Sequence, residues 1–354
     1  MPLPDVLAKL LVAAGPSGYE TAPAAVFTQA ARAFTDDVSV DVMGSAVARV
    51  AGTTPGAPFL AVVGHIDEIG LIVTHIDDDG FLRFIGVGGW DPQILIGQRV
   101  ELLTQHGTLP AVVGRKAIHL LRDEDRKKVP ELRDLHMDIG AKDGEEAREL
   151  VRIGDVAVIA SQPLELLNDR VISRSMDNRL GAFIALEAAR IVAEAGGAPG
   201  DVAACGVVQE EITFGGSRTS SYQLQPDVAI VVDVTHETGS PGVEVNEIGK
   251  HLFGAGPVVE RGPILNPVVF ELLHDVCERE EIPFTIQASA RSTGTDADAI
   301  HLQRAGIPTG GVSIALRYMH SSVEMVQLDD IDACARLIAA FAQSLSAETS
   351  FARS

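Results

Sequence analysis

Two adjacent carboxylates, Glu210 and Glu211, stand in the run Gln209-Glu210-Glu211-Ile212-Thr213-Phe214-Gly215-Gly216. Paired acids can hold a cation or move a proton. The preceding residues, Val202 to Val208, read as a buried strand, and neighbours along a strand point to opposite faces. For both acids to serve one site the backbone must leave strand geometry here, and Gly215-Gly216 would permit that. Taken alone, the pair could equally be an acidic loop at a strand end.

Four further segments end in the same chemistry. The apolar run Phe59 to Gly64 delivers His65, and Asp67 follows two residues later, as an orienting partner for an imidazole ligand should. His65 alone could also be a buried histidine with a hydrogen-bond partner. Ser173 to Arg179 opens a helical pattern, with Leu180, Phe183, Ile184, Ile191 and Val192 at helical spacing and Gly196-Gly197 at its end. Asp177 could simply cap that helix. Val228 to Val232 reads as a strand ending in Asp233, and Gly311 to Leu316 as one that leads through Arg317 and Tyr318 to His320. Open α/β sheets place their sites at such positions, outside the carboxyl ends of the strands.

The candidate ligands are therefore two histidines, His65 and His320, and three carboxylates, Asp177, Glu211 and Asp233, with Glu210 left over. Imidazole plus carboxylate suits zinc, cobalt or manganese rather than a soft thiolate site. A catalytic zinc keeps about three protein ligands and an open position. Five ligands instead fit two metals sharing a bridging carboxylate, about 3.5–4 Å apart. Glu210 is then free to act as a general base.

These residues resemble the tetrahedral aminopeptidases, the glutamyl-aminopeptidase-like family of dinuclear metallopeptidases, some members of which have been labelled endoglucanases. The family pattern His-x-Asp-Glu-Ile-Gly is met at His65 to Gly70, the acid pair with Arg at Asp177-Asn178-Arg179, and Glu-Glu-x-x-x-Gly-Gly at Glu210 to Gly216. Asp-Val-Thr-His falls at Asp233 to His236, and Arg-Tyr-x-His-Ser at Arg317 to Ser321. Gly15 to Glu20, Met137 to Ala141 and Gly294 to Ala297 add to the likeness, which covers nearly the whole chain.

The resemblance implies that His65 and Asp233 bind one metal and Glu211 and His320 the other, with Asp177 bridging. It makes Asp67 the partner that orients His65, and Glu210 the general base and later acid. It implies two divalent ions per subunit, zinc first, with cobalt or manganese as alternatives. A cis Asp177-Asn178 bond is expected by the same likeness. The activity implied is removal of N-terminal residues from short peptides with a free amine, by a hydroxide held between the metals. A dipeptidase, deacylase or carboxypeptidase on the same scaffold is the alternative. A glycosidase needs two free carboxyl groups flanking a sugar, and here the acids are consumed as ligands. A self-assembling scaffold with a vestigial site would not need so complete a ligand set.

Arg317, Thr295 and Asp296 are candidate substrate contacts. Arg317 could instead only balance nearby acids, and the Ser292–Asp296 loop could be a helix cap.

Composition agrees. The chain has 354 residues, 46% of them hydrophobic, which suggests two compact units and a sizeable core. A formal charge of −21 argues against nucleic acid or an anionic membrane as partner. Cys205, Cys277 and Cys334 form no Cys-x-x-Cys pair, so neither a disulfide framework nor a thiolate metal site is indicated. No apolar run reaches membrane-spanning length, and the expected compartment is a reducing cytoplasm.

The expected fold is α/β: a three-layer α/β/α metallopeptidase domain, residues 1–66 plus 167–354, with an inserted small β-barrel or sandwich, residues 70–165. Short alternating runs separated by Asp-Gly, Gly-Gly and His-Gly turns mark the insert. Arg122 to Glu149, of mixed charge, reads as a solvated loop and helix face. The resemblance makes the insert a dimerisation domain, with dimers building a hollow tetrahedral dodecamer. Helices are expected over Val6 to Ala14, Pro267 to Glu281, Asp296 to Ala305 and Leu328 to Leu345, strands over Pro283 to Ala288 and Thr309 to Ala315, and the tail from Glu348 should fray.

Overall fold

A computed structural model describes residues 2–353. Its centre is an eight-stranded sheet in the spatial order Val38–Val40, Ala46–Val50, Val202–Val207, Leu60–His65, Val228–His236, Thr309–Leu316, Val258–Arg261 and Thr285–Ala288. The four middle strands are parallel where they adjoin, except that Ala46–Val50 runs antiparallel to Val202–Val207 on one side and Val258–Arg261 antiparallel to Thr309–Leu316 on the other.

The central strands are mostly apolar on both faces because both faces are covered, the polar exceptions such as His65 and Asp233 belonging to the site. Leu60, Val62, Val202, Ala204, Ile230 and Val232 enter one core with helices Met176–Glu194, Pro267–Arg279 and Leu328–Ser344. The alternate residues Ala61, Val63, Ala203, Cys205, Ala229 and Val231 enter a second core on the opposite face. The two-residue period of a strand thus divides one hydrophobic run between two layers, and the architecture is α/β/α.

After His65 the chain leaves this sheet and forms a closed barrel of six strands between Gly70 and Ile159. The barrel has its own core, with Leu71, Val73, Leu82, Val100, Leu102 and Met137 pointing inward. The charged stretch differs from expectation. It contains the Leu135–Asp138 strand, whose Leu135 and Met137 alternate into that core, so the charges flank a barrel strand. The chain returns through Arg170–Ser173, which pairs with Glu324–Gln327.

Most other elements lie where expected, but two do not. The helix expected from Asp296 is one turn, Ala297–Ile300, after which turns lead to Gly306. The tail is not frayed through Arg353. Phe351 packs against the core and its carbonyl accepts from Asn266 Nδ2 at 2.8 Å, while the Arg353 guanidinium donates to the carbonyls of Pro263, Ile264 and Leu265. Among the described residues no helix is long and apolar enough to cross a membrane.

Candidate metal centre

His65 ends the Leu60–His65 strand and is buried, 1% exposed. Its Nδ1 lies 3.3 Å from the Asp67 carbonyl and 3.4 Å from Asp67 Oδ1. Carbonyl and carboxylate only accept, so Nδ1 carries a proton, and Nε2 is the nitrogen that would offer a lone pair to a cation displacing its own proton. That Nε2 faces Asp177 Oδ1 at 3.2 Å and Glu210 Oε2 at 3.7 Å.

His320 is built the same way from the other side. Its Nδ1 donates to the Gly89 carbonyl at 2.9 Å, on a loop of the barrel. Its Nε2 faces Asp177 Oδ2 and Glu211 Oε1, both at 3.3 Å. Asp177 therefore directs one oxygen at each imidazole. Asp177 and Asn178 depart from helical geometry, the peptide bond between them is cis, and the cap position is Ser175 rather than Asp177.

The acid pair is placed by a left-handed backbone. The strand ends at Val207, Gln209 takes φ +60°, and Glu210–Thr213 form a single helical turn. The turn expected of the glycines is made instead by Gln209, whose N–H is held by the buried Glu20 carboxylate at 3.0 Å. Gly216 serves close approach: a Cβ there would lie 2.4 Å from Val208 N. Asp233 is not at a strand terminus either, since its strand continues to His236.

His65, Asp177, Glu210, Glu211, Asp233 and His320 all line one cavity of about 410 Å³. Donor atoms of His65, Glu210 and Asp233 lie within 4.8 Å of one another, as do those of His65, Asp177 and Glu211. Thr295 is on the wall, and its hydroxyl also accepts the Ala297 N–H at 3.2 Å. Asp296 is buried and does not line the cavity. Arg317 does not either. Its Nε donates to Glu237 at 2.6 Å and its guanidinium lies over Phe253.

The electrostatics show what the cluster lacks. Burial pushes Glu210 up to about 10 against the opposing pull of His65, and burial likewise raises Glu211 and Asp233. Hydrogen bonds to Asp177 and then Glu211 lift His320 to about 11. Burial disfavours a charged His65, yet Glu210, Asp177 and Asp67 raise it well above its usual range. Burial also opposes ionisation of Asp177, but bonds from His320 and His65 hold it far below the ordinary carboxylate range. Glu211 Oε1 is buried and meets His320 Nε2 at 3.3 Å. Four carboxylates and two imidazole Nε2 atoms thus converge with no lysine or arginine on the cavity wall among the described residues. Such a donor set fits divalent cations, which would neutralise the acids and accept both lone pairs.

Several contributors were not singled out from the sequence. Glu324, buried, accepts the His320 N–H at 2.8 Å and the Asp177 N–H at 3.2 Å, one on each oxygen. Its only sequence signal is a lone acid four residues after His320 in an otherwise strand-like stretch. Ser17 donates to Asp67 Oδ2 at 2.6 Å. Glu68 receives the buried guanidiniums of Arg174 and Arg179, and Arg174 and Arg179 also donate to the last carbonyls of the Asp5–Val12 helix.

An α/β/α sheet carrying a cavity of histidines and carboxylates defines a metallohydrolase. Residues 44–337 match the M42 glutamyl aminopeptidase family, to which the chain belongs, and it is a peptide hydrolase. It is 34% identical over 346 residues to a lysyl aminopeptidase of Pyrococcus furiosus, covering 96% of this chain and 97% of that one. An aminopeptidase from Desulfurococcus kamchatkensis superimposes with a TM-score of 0.90 at 34% identity, over 97% and 95% of the two chains. The TET1 peptidase of Pyrococcus horikoshii, which can assemble into a tetrahedron or a large octahedral shell, superimposes with a TM-score of 0.84 at 30% identity, over 96% and 99%.

Proposed function

We propose that the chain is a dinuclear metalloaminopeptidase acting on short peptides with a free N-terminus. The observation that carries this is Asp177, whose two oxygens face His65 and His320 separately. A carboxylate so placed suits a bridge between two cations. His65 and Asp233 would hold one, Glu211 and His320 the other. Zinc fits this nitrogen and oxygen set first, and cobalt or manganese also fit. When bound, the pair supplies a Lewis acid for the scissile carbonyl and makes an attacking water more acidic.

The chain's own residues do the rest. Glu210 takes the proton of the attacking water and returns it to the leaving amine. Asp67 holds the His65 ring and the backbone under Glu210. The carboxylates of the cluster attract the substrate's α-ammonium, which selects for the chain end.

In this reading residues 1–66 and 167–354 form the catalytic unit, and residues 70–165 the dimerisation unit. The barrel's separate core supports that division. Such dimers would then build a shell of twelve, as one relative's dodecamer and the P. horikoshii relative's tetrahedron suggest. Three unpaired, buried cysteines suit a cytoplasmic enzyme.

The test offers matched peptides with free and N-acetylated termini to protein reloaded with zinc. Cleavage confined to the free amine supports the proposal. Equal cleavage of both overturns it in favour of a deacylase or endopeptidase.

A further inference from the structure

Beyond the ligand cluster, one carboxylate stands on the cavity wall. Glu260 lies on the Val258–Arg261 strand and is 6% exposed, with the cavity before it. The sheet register explains its aim. Asp233 pairs with Ser313, Ser313 with Val258, and Glu260 with Gln287. Alternate residues of a strand share a face, so Asp233, Ser313, Glu260 and Gln287 all face the same side. Adjacent strands are about 4.8 Å apart. Glu260 is therefore two strands from a metal-ligand candidate, about the reach of a long side chain.

The surroundings hold Glu260 in that position. The Ser313 hydroxyl donates to its Oε1 at 2.5 Å. Its side chain lies across Gly311, where an added Cβ would come within 2.7 Å of Oε2 and 3.0 Å of Cβ. Any other residue at 311 would fill the space the carboxylate occupies. No lysine, arginine or histidine of the described residues forms an ion pair with it, and burial raises its pKa against the opposing Ser313 bond. A buried acid without a cation is unfavourable. Phe214, Val234 and Met319 give the same cavity apolar surface. An apolar passage ending in a carboxylate matches an aliphatic stem with a cationic tip.

We propose that Glu260 makes this enzyme select a cationic first residue, lysine or arginine, whose side-chain charge it receives. The inference rests on the aminopeptidase reading of the same cavity. An acidic first residue would meet Glu260 as a like charge, and an aliphatic one would leave it unpaired.

The experiment measures kcat and KM of the zinc-loaded enzyme on p-nitroanilides of lysine, arginine, leucine, alanine and glutamate, then repeats the series with Glu260→Gln and Glu260→Asp. Wild type should favour lysine and arginine in kcat/KM. Glu260→Gln should lower the lysine-to-leucine ratio on the order of tenfold to a hundredfold, chiefly through KM, and Glu260→Asp should restore part of it. A wild-type preference for leucine or glutamate overturns the proposal, and needs no variant to fold. So does a Glu260→Gln variant that slows every substrate alike, which is the mark of a structural role. Hydrolysis of none of the five anilides would instead overturn the aminopeptidase reading itself.

Discussion

Asp67 grips Glu210 by its backbone: Oδ1 accepts the Glu210 N–H at 3.0 Å, and Oδ2 the Glu211 N–H at 3.2 Å. The same side chain receives the Ser17 hydroxyl and approaches His65. It therefore couples the strand carrying one imidazole to the turn carrying both glutamates. An amide cannot accept at both positions, because its nitrogen would face an N–H donor. Asp67→Asn should lose about 1–3 kcal/mol of stability and lower kcat even at saturating metal. Thermal melts and steady-state kinetics check this. A variant with wild-type kcat would show that the anchoring has no catalytic consequence.

Glu210→Gln keeps the shape and removes the base. Turnover should fall about 10²- to 10⁴-fold while metal content stays at the wild-type level. Elemental analysis beside kcat separates the two. Normal peptide hydrolysis by this variant would remove Glu210 from the proton transfer.

Glu324 ties the start of the helix carrying Asp177 to the loop carrying His320, taking the backbone N–H of Asp177 on one oxygen and of His320 on the other. Glu324→Gln turns one of those acceptors into a donor. Groups of this kind typically influence metal affinity about 10- to 100-fold. Zinc titration of the chelated variant should show weakened binding. Unchanged affinity would make the residue a packing element only.

Without metal the fold should weaken as pH rises. Glu210 goes from 4.5 to about 10 through burial, and His320 from 6.5 to about 11 through its bonds to Asp177 and Glu211. Each binds more protons folded than unfolded between those limits, so stability present at the acid end is lost on the way up. The lowered Asp177 acts below 3.8, outside this window. Metal displaces these protons, so its stabilising effect should grow with pH. Melting temperatures from about pH 5 to about pH 9, with chelator and with zinc, read both trends. A chelated protein that gains stability across that range contradicts the assignment.

Much of this was legible in the sequence because strands deliver residues to predictable places. His65 and His320 follow apolar runs, and those runs lie in the sheet's centre on either side of the strand that carries Asp233. The barrel was legible as alternating runs between turns. What stayed hidden was long-range or conformational. Gln209 in a left-handed turn has no signature, since glycine is the usual residue there and the strain is met by a bond from distant Glu20. The Gly89 carbonyl that fixes His320 is 231 residues away in sequence. Arg317 precedes His320 closely, yet the pairing with Glu237 turns it from the cavity. As a chain terminus the tail is expected to fray, but Arg353 donates to three carbonyls that no local pattern exposes.

The most direct measurement is the number of divalent ions per chain after chelation, reloading with zinc and removal of excess, for the wild type and for Asp177→Ala. Two per chain in the wild type, with loss of both binding and peptide hydrolysis in the variant, is the expected result. Full hydrolysis by protein carrying no metal, or two tightly held ions in a chain lacking the Asp177 carboxylate, would contradict the account.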